Sequence, residues 1–283
     1  YYEGIHLEGT NNIIRKNQIQ ENSDGIYLRK YYYGSTSQNI IEHNNIELND
    51  GNGIYFYTNC NNNTIQNNNI TNNNDDGIVL YDTVDNILSK NKIQRNEHGI
   101  ILTGFSNSGS NNIKVENNNI SLNEGTGIYL RSGSSNNTLI KNKITQNTVY
   151  GIHLATYNNH NTIEQNQIQE NSDGIYLHTS DYNIIKNNNS TKSNDYGIYF
   201  YSSSNNTIRN NKVTENTYDG IHVYFNSKNN TIRDNHIQDN EEDGIQLYKN
   251  SNNNLIYLNN IQNNYEDNVK SINSINSWNS PYQ

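Results

Sequence analysis

The sequence predicts an all-β chain wound into one solenoid of about eleven coils. Three observations carry that reading: a repeat of Gly-Ile, columns of Asn at fixed offsets from it, and apolar residues alternating at period two. Gly-Ile recurs from Gly4 through Gly25, Gly53, Gly77, Gly99, Gly127, Gly151, Gly174, Gly197 and Gly220 to Gly244, a mean spacing of 24 residues. Asn268-Val269 fills the next slot with Asn in place of Gly. Self-similarity at this period marks a stack of supersecondary units, each unable to bury its own apolar face alone.

Each unit reads roughly Asn-(Thr/Ile)-Ile-x-x-Asn-x-Ile-x-x-Asn-x-x-Gly-Ile-x-Leu. The three apolar pieces are three to five residues long and separated by turn residues, which suits short strands and excludes helices. Stacked strands sit ~4.8 Å apart, so eleven coils make a rod of roughly 50 Å. The Asn columns begin at Asn12, Asn17 and Asn22. The first includes Asn86, Asn112 and Asn137, and all three fit corners, where Asn tolerates left-handed backbone angles and bonds its copy in the next coil. The Gly column is expected to serve corners needing positive φ. One coil departs from the pattern, with Ser190 in an Ile slot and the next corner shifted near Asn194, so a bulge is expected there. The repeat domain is drawn at 1–269, followed by a C-terminal extension, 270–283, leading out of the solenoid.

Composition agrees with the repeat. Of 283 residues, 65 are Asn, 37 Ile and 23 Tyr, with one Pro, one Cys and no Met. Apolar residues make up only 31%, yet the wealth of β-branched and aromatic residues argues against disorder. The formal charge is −9, which argues against a nucleic-acid partner. Cys60 alone excludes an internal disulfide framework, and no run approaches the ~18 apolar residues of a membrane span. The chain begins at Tyr1 without a Met, which reads as a processed or partial product with uncapped solenoid ends.

The unit resembles the right-handed parallel β-helix repeat of NosD-like proteins, within the wider group of carbohydrate-binding and sugar-hydrolase β-helices. The resemblance spans residues 1 to about 269. It implies a right-handed coil, export to the cell surface or beyond, and a polysaccharide or surface glycan as partner. A weaker likeness links Ser277-Trp278-Asn279-Ser280-Pro281 to the segment that follows such repeats in archaeal surface proteins.

In Gly-Ile-x-Leu the Ile and Leu point inward and x points out. The outward column reads His6, Tyr27, Tyr55, Val79, Ile101, Tyr129, His153, Tyr176, Tyr199, His222, Gln246. Two residues on, the next reads Glu8, Arg29, Tyr57, Tyr81, Thr103, Arg131, Ala155, His178, Tyr201, Tyr224, Tyr248. Ten of the 23 Tyr therefore line one sheet face, either as a stabilising ladder or as a platform for sugar rings or a packing partner. Two insertions fall on one corner: eleven residues separate Leu28 from Asn39, and ten separate Leu102 from Asn112, against five to seven elsewhere. They contain Tyr31, Tyr32 and Tyr33 in one case and Phe105 in the other, three coils or roughly 14 Å apart.

The candidate binding residues are thus Tyr27, Arg29, Tyr31, Tyr32, Tyr33, Tyr55, Tyr57, Tyr81, Phe105, Tyr129, Tyr176, Tyr199, Tyr201, Tyr224 and Tyr248. They point to a non-catalytic module that binds glycan, copies of itself or other surface proteins, with no cofactor. A polysaccharide lyase, hydrolase or epimerase in the cleft between the long loops is the alternative. Against it, Asp82 and Asp85 share one loop, and no second carboxylate cluster stands on neighbouring strands, although glycoside hydrolysis needs two carboxyls ~5–9.5 Å apart. Copper handling, which the NosD resemblance implies, fits poorly: His153 and His178 fall in different columns, His222 and His236 on different sheets. Asp219, Asp243 and Asp267, with Glu242 and Glu266 beside them, form an acidic edge that is either solvated or a calcium site.

Overall fold

The computed structural model describes residues 2–30 and 34–278. The described secondary structure is entirely β: 34 short strands form three parallel sheets of 12, 11 and 11 strands. Each strand pairs with the strand one coil on, so the three sheets run the length of a single solenoid. One coil illustrates the plan. Ile128–Leu130 lies in the first sheet, Thr138–Ile140 in the second and Lys143–Thr145 in the third. The next coil restarts at Tyr150–Leu154 in register, with Ile128 beside Ile152 and Tyr129 beside His153. Among the described residues, no helix is long and apolar enough to cross a membrane.

The core is a stack of like residues. Ile120, Ile144 and Ile168 sit above one another in the third sheet, Leu130 and Leu154 in the first, all buried. Beside them run the Asn ladders. The Asn142 side chain accepts the backbone N–H of Asn118 (3.0 Å) and donates to the Val115 carbonyl (2.9 Å) and to Asn166 Oδ1 (3.0 Å). Each ladder Asn thereby satisfies main-chain groups that the corner would otherwise bury unpaired.

The structure corrects four expectations about the repeat. First, the left-handed angle belongs to the residue before the ladder Asn: Lys141 (φ 55°), Gln146 (57°) and even Leu122 (59°) adopt it. The ladder imposes this geometry, so side chains that rarely choose it are found there. Second, among the described residues the glycines with positive φ are Gly9, Gly109 and Gly133, none in the Gly-Ile column. A Cβ at Gly127 would lie 2.6 Å from Ile144 Cγ2 and 2.7 Å from the Gly151 carbonyl oxygen. That column needs room, not backbone freedom. Third, Asn112 is the left-handed corner residue (φ 55°), and buried Ile113 occupies the ladder slot beneath Asn137. The first ladder is therefore interrupted between Asn86 and Asn137.

Fourth, no bulge forms at Ser190. Asn189–Thr191 pairs in regular register, Ser190 opposite Ile168, and the buried Ser190 hydroxyl donates to the Gly197 carbonyl (2.8 Å). Ser193, not Asn194, fills the third ladder there, its N–H donating to Asn216 (3.0 Å). The boundary drawn at 269 falls at the first residue of a first-sheet strand, Val269–Ile272. Ser277 still bridges Leu255 in the second sheet, so the described part of the C-terminal segment continues the winding.

Candidate ligand-binding face

The outward rows of the first sheet are as the repeat dictates. Tyr27 pairs with Tyr55, Tyr55 with Val79 and Val79 with Ile101, while Tyr57 stands between Arg29 and Tyr81. What the repeat could not give is the orientation of the rings. Tyr129 and His153 stack at 4.7 Å and 7°, His153 and Tyr176 at 4.7 Å and 17°, Tyr176 and Tyr199 at 4.8 Å and 14°. These separations match the coil spacing, so each ring spends its faces on its neighbours and turns its edge outward. Over these coils the face is a packed stack, not a flat platform. Burial keeps His153 neutral, its pKa lowered to about 3, and raises the Tyr176 and Tyr199 phenols.

A second group sits at the far end, where Tyr201, Tyr224 and Tyr248 succeed one another at 5.7 Å with tilted planes. Lys249 covers it, with Nζ 5.2 Å from the Tyr224 centroid and 2.8 Å from its hydroxyl. At the near end Tyr27 and Tyr55 are tilted at 5.5 Å, and Tyr57 stacks on Tyr81 at 5.4 Å. Arg29 donates to Glu8 (2.6 Å), which occupies its guanidinium.

Between the near group and the long stack the aromatic row stops. Val79 and Ile101 take the two slots between Tyr55 and Tyr129. At this gap lies a hollow of about 450 Å³ lined by Asn52, Tyr55, Asp75, Asp76, Val79, Tyr81, Glu97, Thr103 and Arg131. Tyr81 stands at one side, stacked on Tyr57 but followed by Thr103 rather than another ring. Arg131 stands at the other, its guanidinium carbon 5.3 Å from the Tyr129 centroid. Burial raises Asp76 to about 7 despite the amide it accepts from His98 (3.1 Å), and raises Tyr55 to about 12. Asp76 therefore exchanges its proton near neutrality.

The hollow joins Tyr55 and Tyr81 with residues outside the aromatic candidate set: Asp75, Asp76, Glu97, Thr103 and Arg131. The break at Val79 and Ile101 was the available signal for it. The long loop beside it is anchored by Asp82, which accepts the Phe105 N–H (3.0 Å) and the Ser108 hydroxyl (2.8 Å). That leaves the Phe105 ring 70% exposed. Tyr31, Tyr32 and Tyr33 lie outside the described residues.

One edge of this face is an acidic ridge, formed by the two residues before each Gly slot. Its N-terminal half holds Glu3, Asp24, Asp75, Asp76 and Glu97. Its C-terminal half holds Asp173, Asp195, Asp219, Glu242, Asp243, Glu266 and Asp267. These twelve are drawn from 28 acidic residues, and neither row contains a Lys or Arg. Several act as ladder rungs: Asp219 accepts the Asp243 N–H and Asp243 accepts the Asp267 N–H, both at 2.9 Å. The remaining oxygens are taken too, Asp219 by His222 Nδ1 (2.6 Å) and Asp243 by Gln246 Nε2 (2.6 Å). Lys270 adds its charge 3.4 Å from Asp243 and 2.9 Å from Glu266. These partners occupy the Asp219 and Asp243 oxygens that a hard cation would need free, which favours the solvated reading of this edge over the calcium one.

Copper fares no better. Among the described residues no three His, Cys, Asp or Glu are placed to hold a metal ion. Cys60 is buried, its thiol donates to the Tyr57 carbonyl (3.1 Å), and burial pushes it up to about 12. His153 and His222 are committed to aromatic packing and to Asp219. The soft or imidazole donor sets that copper selects are not assembled here.

Two family models match the chain. "Right handed beta helix region" covers residues 3–168, and "Periplasmic copper-binding protein (NosD)" covers 149–283. No curated protein matches it in sequence. Among solved structures it is similar to the A-module of mannuronan C-5 epimerase AlgE4 of Azotobacter vinelandii. That match has 13% identity and a TM-score of 0.75, covering 99% of this chain and 83% of the other. It is similar also to the Dettilon tailspike protein, at 15% identity and TM-score 0.70, over 93% of this chain and 61% of that one. The periplasmic alginate epimerase AlgG matches at 14% and 0.57, over 96% and 76%. At these identities the likeness is one of fold.

Proposed function

Because this chain belongs to the right-handed β-helix family, we propose that it is an exported, non-catalytic module that binds a polysaccharide across its first sheet. The binding site is the hollow between Tyr81 and Tyr129. One observation carries the reading: where Val79 and Ile101 interrupt the first outward row, a recess opens that joins the Tyr55 and Tyr81 rings with hydrogen-bonding side chains. Sugar recognition wants that mixture, an apolar ring to stack on and a few fixed polar groups to set orientation. The fold is shared with mannuronan and alginate epimerases, a tailspike and NosD, which supports a polysaccharide-related and extracytoplasmic role. The stacked run from Tyr129 to Tyr199 serves stability, and the C-terminal Tyr group is a second surface for glycan or a protein neighbour.

The test is binding of a panel of polysaccharides, with Tyr81→Ala as the diagnostic variant. Tyr81 is part-exposed and outside the core, so the variant should keep its melting temperature within a few degrees and lose binding at least tenfold. Undiminished binding by Tyr81→Ala, or no binding to any glycan, would defeat the reading. An epimerase or lyase reading has one observation in its favour, the Asp76 carboxyl poised near neutrality beside Arg131. It requires product: altered stereochemistry or unsaturated ends after incubation with a bound polysaccharide.

A further inference from the structure

From the charge around the hollow, we infer that the glycan this face takes carries amino groups rather than carboxylates. The inference rests on the glycan-binding reading above and names the ligand's chemical class. The hollow is lined by Asp75 and Glu97, with Asp76 protonated at mildly acidic pH, against a single guanidinium, Arg131. Beyond it the same two rows are uncharged through Gly125, Thr126, Val149 and Tyr150, turn acidic again from Asp173, and carry no compensating Lys or Arg. The other cations on the outward rows are engaged: Arg29 with Glu8, Lys270 with Asp243 and Glu266.

A polyanionic chain laid along this sheet would meet like charge at the recess and again along the ridge. An ammonium-bearing sugar meets the opposite situation. Carboxylates accept its N–H groups in charge-assisted hydrogen bonds, and ring faces beside them attract a cation through the quadrupole. The recess thus offers carboxylates in excess of cations, the complement of an amino sugar. This separates the chain from the epimerases whose fold it shares, which are named for mannuronan and alginate.

The experiment compares three oligosaccharides of equal length by calorimetric titration at low salt and mildly acidic pH: a fully deacetylated glucosamine oligomer, its N-acetylated counterpart and a mannuronate oligomer. The amino oligomer should bind at least tenfold tighter than the acetylated one, and mannuronate should give no heat. The preference should shrink as salt is raised. Asp75→Asn with Glu97→Gln should remove the preference of the amino over the acetylated oligomer. Tyr81→Ala should abolish binding of all forms, which separates the recess from diffuse attraction to an acidic protein. Equal binding of amino and acetylated oligomers, or binding of mannuronate, each lost in Tyr81→Ala, would overturn the charge assignment and leave the glycan reading standing. Amino-oligomer binding indifferent to Tyr81→Ala would overturn the charge assignment as mere polycation attraction. Failure of all three to bind, together with every other polysaccharide tried, would overturn both.

Discussion

Replacing Asn142 by Ala should destabilise the solenoid by about 4 kcal/mol, and the figure follows from what the side chain does. It is 1% exposed and makes four hydrogen bonds that Ala cannot. Oδ1 accepts the Asn118 backbone N–H and Asn118 Nδ2, both at 3.0 Å. Nδ2 donates to the Val115 carbonyl at 2.9 Å and to Asn166 Oδ1 at 3.0 Å. Asn118 Nδ2 keeps its bond to the Leu88 carbonyl (2.9 Å), so its loss is partial, whereas the Asn118 amide is left buried without an acceptor. An orphaned buried amide costs ~1–3 kcal/mol, and each of the other three bonds contributes ~0.5–1.5 kcal/mol. Denaturant unfolding should report the loss. Hydrogen exchange should place it at the Asn118 amide and the adjoining coils, because a solenoid opens locally. Asn119→Ala, at an exposed position next to the Asn118 corner, should stay within ~0.5 kcal/mol of the parent. A loss below about 1 kcal/mol, with the Asn118 amide still protected, would refute the view that the ladders hold the corners.

Three further outcomes follow from the same geometry. Ser190→Val should stabilise by roughly 1–2 kcal/mol: it adds buried methyl groups at ~0.8 kcal/mol each, and the Gly197 carbonyl keeps the Ile175 N–H (3.1 Å). A fall in denaturation midpoint would show that the slot is shaped for a hydroxyl. Asp173, 5% exposed, has its carboxyl raised by burial from 3.8 to about 7. The folded state thus holds the proton more tightly than the unfolded, and this group's contribution to stability declines as pH rises from about 4 to about 7, by at most ~1.4 kcal/mol per pH unit. Asp173→Asn should therefore stabilise above pH ~7 and change little below pH ~4; equal melting shifts at both ends would contradict it. His153 has the opposite sign. Its folded pKa of about 3 lies below the ordinary 6.5, so stability is lost as pH falls below 6.5, and His153→Phe should flatten that acid limb in a melting series while keeping the stack.

The coil plan was legible in the sequence because every unit repeats the same burial problem. Ile144 and Asn142 could be placed from their spacing, and the register pairs them as expected with Ile168 and Asn166. The corner angles were not legible, because Lys141, Gln146 and Leu122 adopt left-handed φ at the dictate of the neighbouring ladder, not through their own preference. Period-two alternation told which side of the sheet Tyr129 and Tyr176 occupy but not how their rings turn. That is decided by stacking at the coil spacing. The recess was half legible. Val79 and Ile101 interrupt a column of aromatics, yet Asp75, Asp76 and Glu97 come from corner rows that elsewhere carry Gly51, Asn52 and Thr126, too varied to read as a site.

The most direct test of the central claim is to close the recess by completing the aromatic row. Val79 is paired with Tyr55 and Ile101 and lines the hollow, so Val79→Tyr would extend the Tyr27–Tyr55 row by one ring and fill part of that space. Cross-strand aromatic pairs contribute ~0.2–1 kcal/mol, so the variant should melt at or slightly above the parent temperature. Titrated with a polysaccharide that the parent binds, it should show affinity reduced at least tenfold, a loss of about 1.4 kcal/mol. Unchanged affinity in a correctly folded Val79→Tyr would contradict the assignment of this recess as the binding site.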